Sequence, residues 1–180
     1  MDKKKAFLIP WAWGIIGMIL LAAGIYVYMN REPDIIKIAR ILGVAMLIAG
    51  IINFAICYVF RHRIHGVRWL EADGLATILL SLFPLFNEMV FTEVIPFFFG
   101  VWELFSGIIK LMDTAELRHD GIKCWKSIAV ISLVELVSGT ISLIEPVEIA
   151  VGFHHMLGFI FMIQALGFAR KVALYEELIS

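Results

Sequence analysis

Long apolar blocks organise this chain. They cover residues 7–29, 41–60 and 149–169 without a break, and shorter or interrupted blocks cover 69–86, 94–112 and 128–144. A helix needs roughly 20 apolar residues to cross about 30 Å of hydrocarbon. A membrane β-strand would instead read as a short alternation of apolar and polar positions. The pattern predicts an all-α integral membrane protein with six transmembrane helices. Asn30-Arg-Glu-Pro-Asp34, Asn87-Glu88 and Glu145-Pro-Val-Glu148 are tight polar turns between blocks, and residues 61–68 and 117–126 are longer, basic connections.

Small residues inside the blocks repeat. Gly17 and Gly24 stand seven apart in the first block, Gly74 and Ser81 in the third, and Ser132 and Gly139 in the fifth. The even blocks carry Gly43 and Gly50, then Gly100 and Gly107, then Gly158 and Ala165. Successive pairs are offset by 57 or 58 residues, and Trp11, Trp69 and Trp125 keep that period within one residue. Residues seven apart lie two turns apart on one helix face. Close backbone approach at such faces supplies helix packing in lipid, where no hydrophobic drive exists between helices. The chain therefore reads as a single membrane domain, 1–180, with parallel two-helix repeats at about 6–62, 66–119 and 122–172. An even number of spans per repeat inserts every copy the same way up, which gives a pseudo-threefold bundle about an axis along the membrane normal. The glycine faces pack either within one chain or between copies in a homo-oligomer.

Composition sharpens the class. The chain is 61% apolar and 17% charged, with a mean hydropathy of +0.91, where soluble domains are about 45–50% apolar and about 25% charged. A soluble globule and a disordered chain are both excluded. The net charge of −1 conceals a division. Twelve of the fifteen Lys and Arg residues, among them Lys3–5, Arg61, Arg63, Arg68, Lys110, Arg118, Lys126 and Arg170, fall on one side of the predicted spans. Glu32, Asp34, Glu88, Glu93, Glu145 and Glu148 collect on the other. This asymmetry predicts that both termini are cytoplasmic. The run after Lys5 is too long for a secretory signal and lacks an Ala-x-Ala site, so it reads as an uncleaved first span. Cys57 and Cys124 lie near the reducing side, and no disulfide is expected.

Three tandem two-helix units with glycines seven apart resemble the HdeD family of bacterial inner-membrane proteins. The likeness is carried by Gly43-Val-Ala-Met-Leu-Ile-Ala-Gly50, by Gly100-Val-Trp-Glu-Leu-Phe-Ser-Gly107 with Ile108-Ile-Lys-Leu-Met112, and by Gly139-Thr-Ile-Ser-Leu-Ile-Glu-Pro146. It extends over roughly residues 8–172. The resemblance implies a small six-span protein associated with acid resistance, with no catalytic residues to transfer.

The repeat also separates scaffold from addition. Glu103 aligns with Met46 and Phe161, Glu135 with Leu20 and Thr77, and Asp73 with Ile16 and Ile131. At ~1.5 Å per residue, Glu103 and Glu135 sit ~15 Å deep, where a charge costs at least ~2.5–3.5 kcal/mol. Two expectations follow. Either both are neutral carboxyls bonded to Ser106, Ser138 or Thr140, or they exchange protons along an intramembrane path. His154 and His155, two turns inside the last span, are candidates for an external pH sensor or for interfacial packing. Adjacent on a helix, they point about 100° apart and chelate poorly. Glu71 and Asp73 read as interfacial carboxylates at the start of the third span, beside Arg68. Pro84 and Pro96 are expected to kink or delimit their spans.

No phosphate loop, dinucleotide glycine pattern, His-Glu-x-x-His or nucleophile elbow occurs. The expected partner is the lipid bilayer, with no nucleic acid, cofactor, metal or identifiable small-molecule substrate. The resemblance to HdeD implies a non-enzymatic function in acid or envelope stress tolerance. The alternative is a small proton-coupled transporter or channel that uses the buried carboxylates.

Overall fold

In hydrocarbon, each backbone N–H and C=O must be paired within the protein, and a helix does this inside one segment. The apolar blocks are helical in the computed structural model, which describes residues 3–30, 35–60, 67–86, 94–122, 125–144 and 152–173. Its helices are α1 (Lys3–Met29), α2 (Ile35–Phe60), α3 (Val67–Phe86), α4 (Val94–His119), α5 (Trp125–Ser142) and α6 (Phe153–Ala173). No strand occurs among the described residues. Residues 31–34, the basic connection at 61–66, residues 87–93 with Glu88 and Glu93, Cys124, Glu145 and Glu148 lie outside them. Pro84 is accommodated within α3, which runs two residues beyond it.

Among the described residues, four helices, α1, α2, α3 and α5, are long and apolar enough to cross a membrane. The chain is thus a multi-pass helical protein in contact with the bilayer. Polar residues dilute the apolar character of α4 and α6, yet their outward faces are apolar too. Phe97, Phe105, Ile108 and Met112 are exposed on α4, and Phe159 and Leu166 on α6. Soluble proteins hide such side chains and expose charge; here Glu103, Glu135, Lys110 and Asp73 are buried instead.

Consecutive helices are neighbours, α6 lies against α1, and α4 also reaches α6. The most extensive contacts are α1 with α6, α2 with α3, and α4 with α5. Each of these seams is built on small residues. A Cβ placed on Gly24 would lie 2.8 Å from the Gly158 carbonyl oxygen, and one on Gly158 would lie 2.8 Å from that of Gly24. One on Gly50 would be 3.1 Å from Gly74 O, and one on Gly74 would be 2.8 Å from Phe54 N. In the third seam, Gly107 faces Ser132 O at 3.1 Å and Gly139 faces Gly100 O at 3.0 Å. Gly17 packs on Ala165 O and Phe168, and Gly43 on Pro84 and Leu85. Ser81 and Ser132 are buried, each donating its hydroxyl to its own helix, at Ile78 O and Ala129 O.

The glycine faces therefore pack within one chain. They join the second helix of each expected hairpin to the first helix of the next, while contact within each hairpin is looser. The reason is steric: the small residues lie on the faces that look away from the hairpin partner.

Candidate functional site

The inward faces of α2 to α6 meet at a chain of buried polar side chains. Lys110, on α4, forms an ion pair with Glu135 on α5; the two side chains are 4% and 0% exposed. The same ammonium donates to Ser106 Oγ at 2.9 Å and to Gln164 Oε1 on α6 at 2.8 Å. Gln164 Nε2 then donates to Glu103 Oε2 at 2.9 Å, and Ser138 Oγ to Glu103 Oε1 at 3.1 Å. One ammonium, one amide and two carboxyls form a continuous path across three helices.

A second branch starts at Ser106, which donates to Asp73 Oδ1 on α3 at 3.0 Å. Asn53, on α2, donates through Nδ2 to Asp73 Oδ2 at 3.4 Å and to Leu70 O at 3.3 Å. Its Oδ1 accepts from the Trp13 indole of α1 at 3.3 Å. Every helix thus contributes to one network. Its local logic is helical spacing: Glu103, Ser106 and Lys110 occur at i, i+3 and i+7 on one face of α4.

Toward the ends where α1 and α5 finish and α4 and α6 begin, the network stops at aromatic rings. Phe83 stacks on Phe98 with centroids 4.4 Å apart, Phe99 meets Phe161 at 5.7 Å, and Trp102 meets Phe161 at 5.2 Å. The Trp102 indole is bonded to Thr77 Oγ1 at 3.2 Å. Toward the opposite ends the interior stays polar, with Asp113, Thr114 and Lys171 buried. Among the described residues, Asp113 Oδ1, Glu135 Oε2, Glu71 Oε1 and Lys171 Nζ are buried without a hydrogen-bond partner. Lys171 Nζ stands 4.6 Å from the centre of the Phe168 ring. Trp125 marks this end, with the Arg118 guanidinium 5.2 Å from its ring centre.

Of the residues singled out in the sequence, Glu103 and Glu135 come together, bridged by Lys110 and Gln164 and by Ser138, whose hydroxyl also contacts Glu135 O at 3.1 Å. Thr140 does not join them; it is exposed and bonds Leu136 O of its own helix. His154 and His155 are half-buried. The His155 ring stands edge-on to Tyr28 at 4.8 Å, at a cleft of about 280 Å³ that Ser138 also lines. Among the described residues, no group of three or more His, Cys, Asp and Glu side chains is placed to hold a metal ion.

Two expectations need correction. Lys110 does not belong with the cations around a basic connection, because it lies inside α4 and only 3% of its surface is exposed. Asp73 is not interfacial; it is 4% exposed and faces Ser106 and Asn53. Asn53, Gln164 and Trp13 were not anticipated at all.

The profile of a family described as a short repeat of unknown function, DUF308, matches residues 15–86 and again residues 72–139. The chain belongs to the DUF308 family. The two DUF308 matches begin 57 residues apart, the period already visible in the glycines. Each match contains one small-residue seam, α2 with α3 in the first and α4 with α5 in the second. No curated protein and no solved structure matches the chain.

Proposed function

We propose that this DUF308 protein is a non-enzymatic membrane protein, akin to the HdeD family it resembles, that takes up and releases protons on its buried carboxyls in acid or envelope stress. The supporting observation is the bonded path Glu135–Lys110–Gln164–Glu103 inside an otherwise apolar bundle. Three carboxyls, Asp73, Glu103 and Glu135, share it with one ammonium. Such an interior is neutral only when protons or cations accompany it. Ionisable groups inside a membrane-spanning bundle are rare and costly, and they recur in proton relays and ion pathways.

The same proposal takes all six helices as spans, arranged as three tandem hairpins with both termini in the cytoplasm of a bacterium. Three small-residue seams and the 57-residue offset support the threefold arrangement. Arg118, Lys126 and Arg170, near the end where α1 begins, support the orientation.

Acid survival of cells carrying Glu103→Gln together with Glu135→Gln tests the reading. Gln preserves the shape of both side chains and removes the exchangeable acid. Survival should fall to that of cells lacking the gene, and survival equal to the parent strain sinks the proposal.

A proton-coupled carrier on the same carboxyls is the second reading. It is favoured by the cleft beside α5 and α6, where Ser138 links the wall to Glu103. Purified protein in liposomes separates the two, since only a carrier acidifies the lumen under a proton gradient.

A further inference from the structure

Contact between α5 and α6 is looser than at the small-residue seams, and a groove of about 350 Å³ opens between them. Leu133, Val134, Val137 and Ile141 line it from α5 and Phe159 from α6, with Ser138 its one polar residue. Leu133, Val137 and Phe159 are at least half exposed, on a side where a bilayer supplies hydrocarbon.

One end of the same helix pair carries a cluster of cations. Arg170 of α6 donates from Nε to Ser127 Oγ of α5 at 2.8 Å. The Arg118 guanidinium and Lys126 Nζ lie 5.2 and 5.8 Å from the centre of the Trp125 ring. Among the described residues, none of these three cations is ion-paired with a carboxylate. The bond to Ser127 uses one guanidinium N–H of five and leaves both Nη groups, which match a phosphate bidentately. Basic clusters beside an interfacial Trp recognise anionic lipid headgroups.

Cluster and groove belong to one antiparallel interface. Ser138 follows Ser127 by eleven residues, and Phe159 precedes Arg170 by eleven. At ~1.5 Å per residue, Leu133 lies ~9 Å from the level of Ser127 and Val137 ~15 Å, about the depth of one leaflet.

We propose that the α5–α6 interface binds one anionic phospholipid, with its phosphate on Arg170 and Lys126 beside Trp125 and one acyl chain in the groove from Leu133 to Phe159. The two halves of the site demand the two halves of such a molecule. A free phosphate ion would use the cations and leave the groove empty. A zwitterionic lipid would fill the groove but bring its own cation to the basic cluster. The site takes α6 as a span, as in the functional proposal above.

Native mass spectrometry of the delipidated full chain, titrated with phosphatidylglycerol or phosphatidylcholine, tests the assignment. One phosphatidylglycerol should be retained in a saturable step, at about a tenth of the concentration that phosphatidylcholine requires. Lys126→Gln with Arg170→Gln should erase the difference between the two lipids. Val137→Trp, at a position 58% exposed, should fill the groove and weaken phosphatidylglycerol retention with every cation in place. Arg40→Gln, at the opposite end of the bundle, should change neither. Lys126→Gln alone, which breaks no bond between helices, reads the charge dependence even if Arg170→Gln fails to fold. Equal retention of the two lipids, or a preference that survives the loss of both cations, would overturn the proposal. So would unchanged retention in Val137→Trp, or competition by glycerol phosphate as strong as by the lipid, which would leave the cations to a free phosphate. None of these readouts involves proton movement or acid survival, so failure here and failure of the proton-exchange reading are distinguishable.

Discussion

Lys110 and Glu135 are joined as an ion pair across the seam between α4 and α5, with both side chains withdrawn from the surface. Removing one member of such a pair strands the other, at a cost of about 3–5 kcal/mol, whereas replacing both by apolar residues is often neutral or better. Lys110→Met and Glu135→Leu should each lower the unfolding midpoint in detergent, and the double variant should recover most of the loss. Additive losses in the double variant would show that the two groups do not act as a pair.

The seam between α1 and α6 tolerates no side chain at its centre. A Cβ on Gly24 meets the Gly158 carbonyl at 2.8 Å, whereas one on Gly14 has its nearest neighbour, Val172 Cγ2, at 4.0 Å. Gly24→Ala is expected to destabilise by about 1–3 kcal/mol through overpacking. Gly14→Ala should be neutral or stabilising by up to about 1 kcal/mol through helix propensity. Chemical unfolding of the two variants in mixed micelles gives the comparison, and equal stabilities would contradict the seam.

The aromatic layer bounds the polar network on one side. Phe99 is fully buried and packs on both Phe161 and Trp102. Phe99→Ala should cost about 3–5 kcal/mol, the usual range for a buried aromatic. It should also admit water toward Glu103, read as faster hydrogen exchange in that part of α4. Unchanged exchange there would mean that the rings do not exclude water from the network.

Cys57 is buried, its thiol lying 3.9 Å from Asn53 Oδ1. In a Cys124→Ser background, a maleimide should label the folded protein slowly and the unfolded protein fully. Rapid labelling of the folded state would show that the polar end of the bundle admits reagent as far as Cys57.

The glycine register was legible in the sequence because seven-residue spacing maps directly onto one helix face. Glu103 and Glu135 stood out because a carboxylate in an apolar run has no bland company. Lys110 did not, since a lysine near the end of a hydrophobic run normally extends to the interface. Its burial follows from α4 continuing to His119, well beyond the apolar block. A signal was nonetheless present: Lys110 follows Glu103 by seven residues and Ser106 by four, which places all three on one face. Asp73 was assigned to the interface for the same reason, its closeness to a span boundary. Gln164 and Asn53 carry no charge, and only the convergence of separate helices shows that they serve the network.

The pairing of α1 with α6 also orders events in time. The seam of Gly17 and Gly24 against Gly158 and Ala165 unites α1 with α6, a helix made only after the four that lie between them. The partners of α2 and α4 follow them immediately in synthesis, but α1 must wait until α2 to α5 have been made. A chain arrested before α6 would hold two finished seams and one open face, and that face is where quality control in the membrane could recognise it as incomplete.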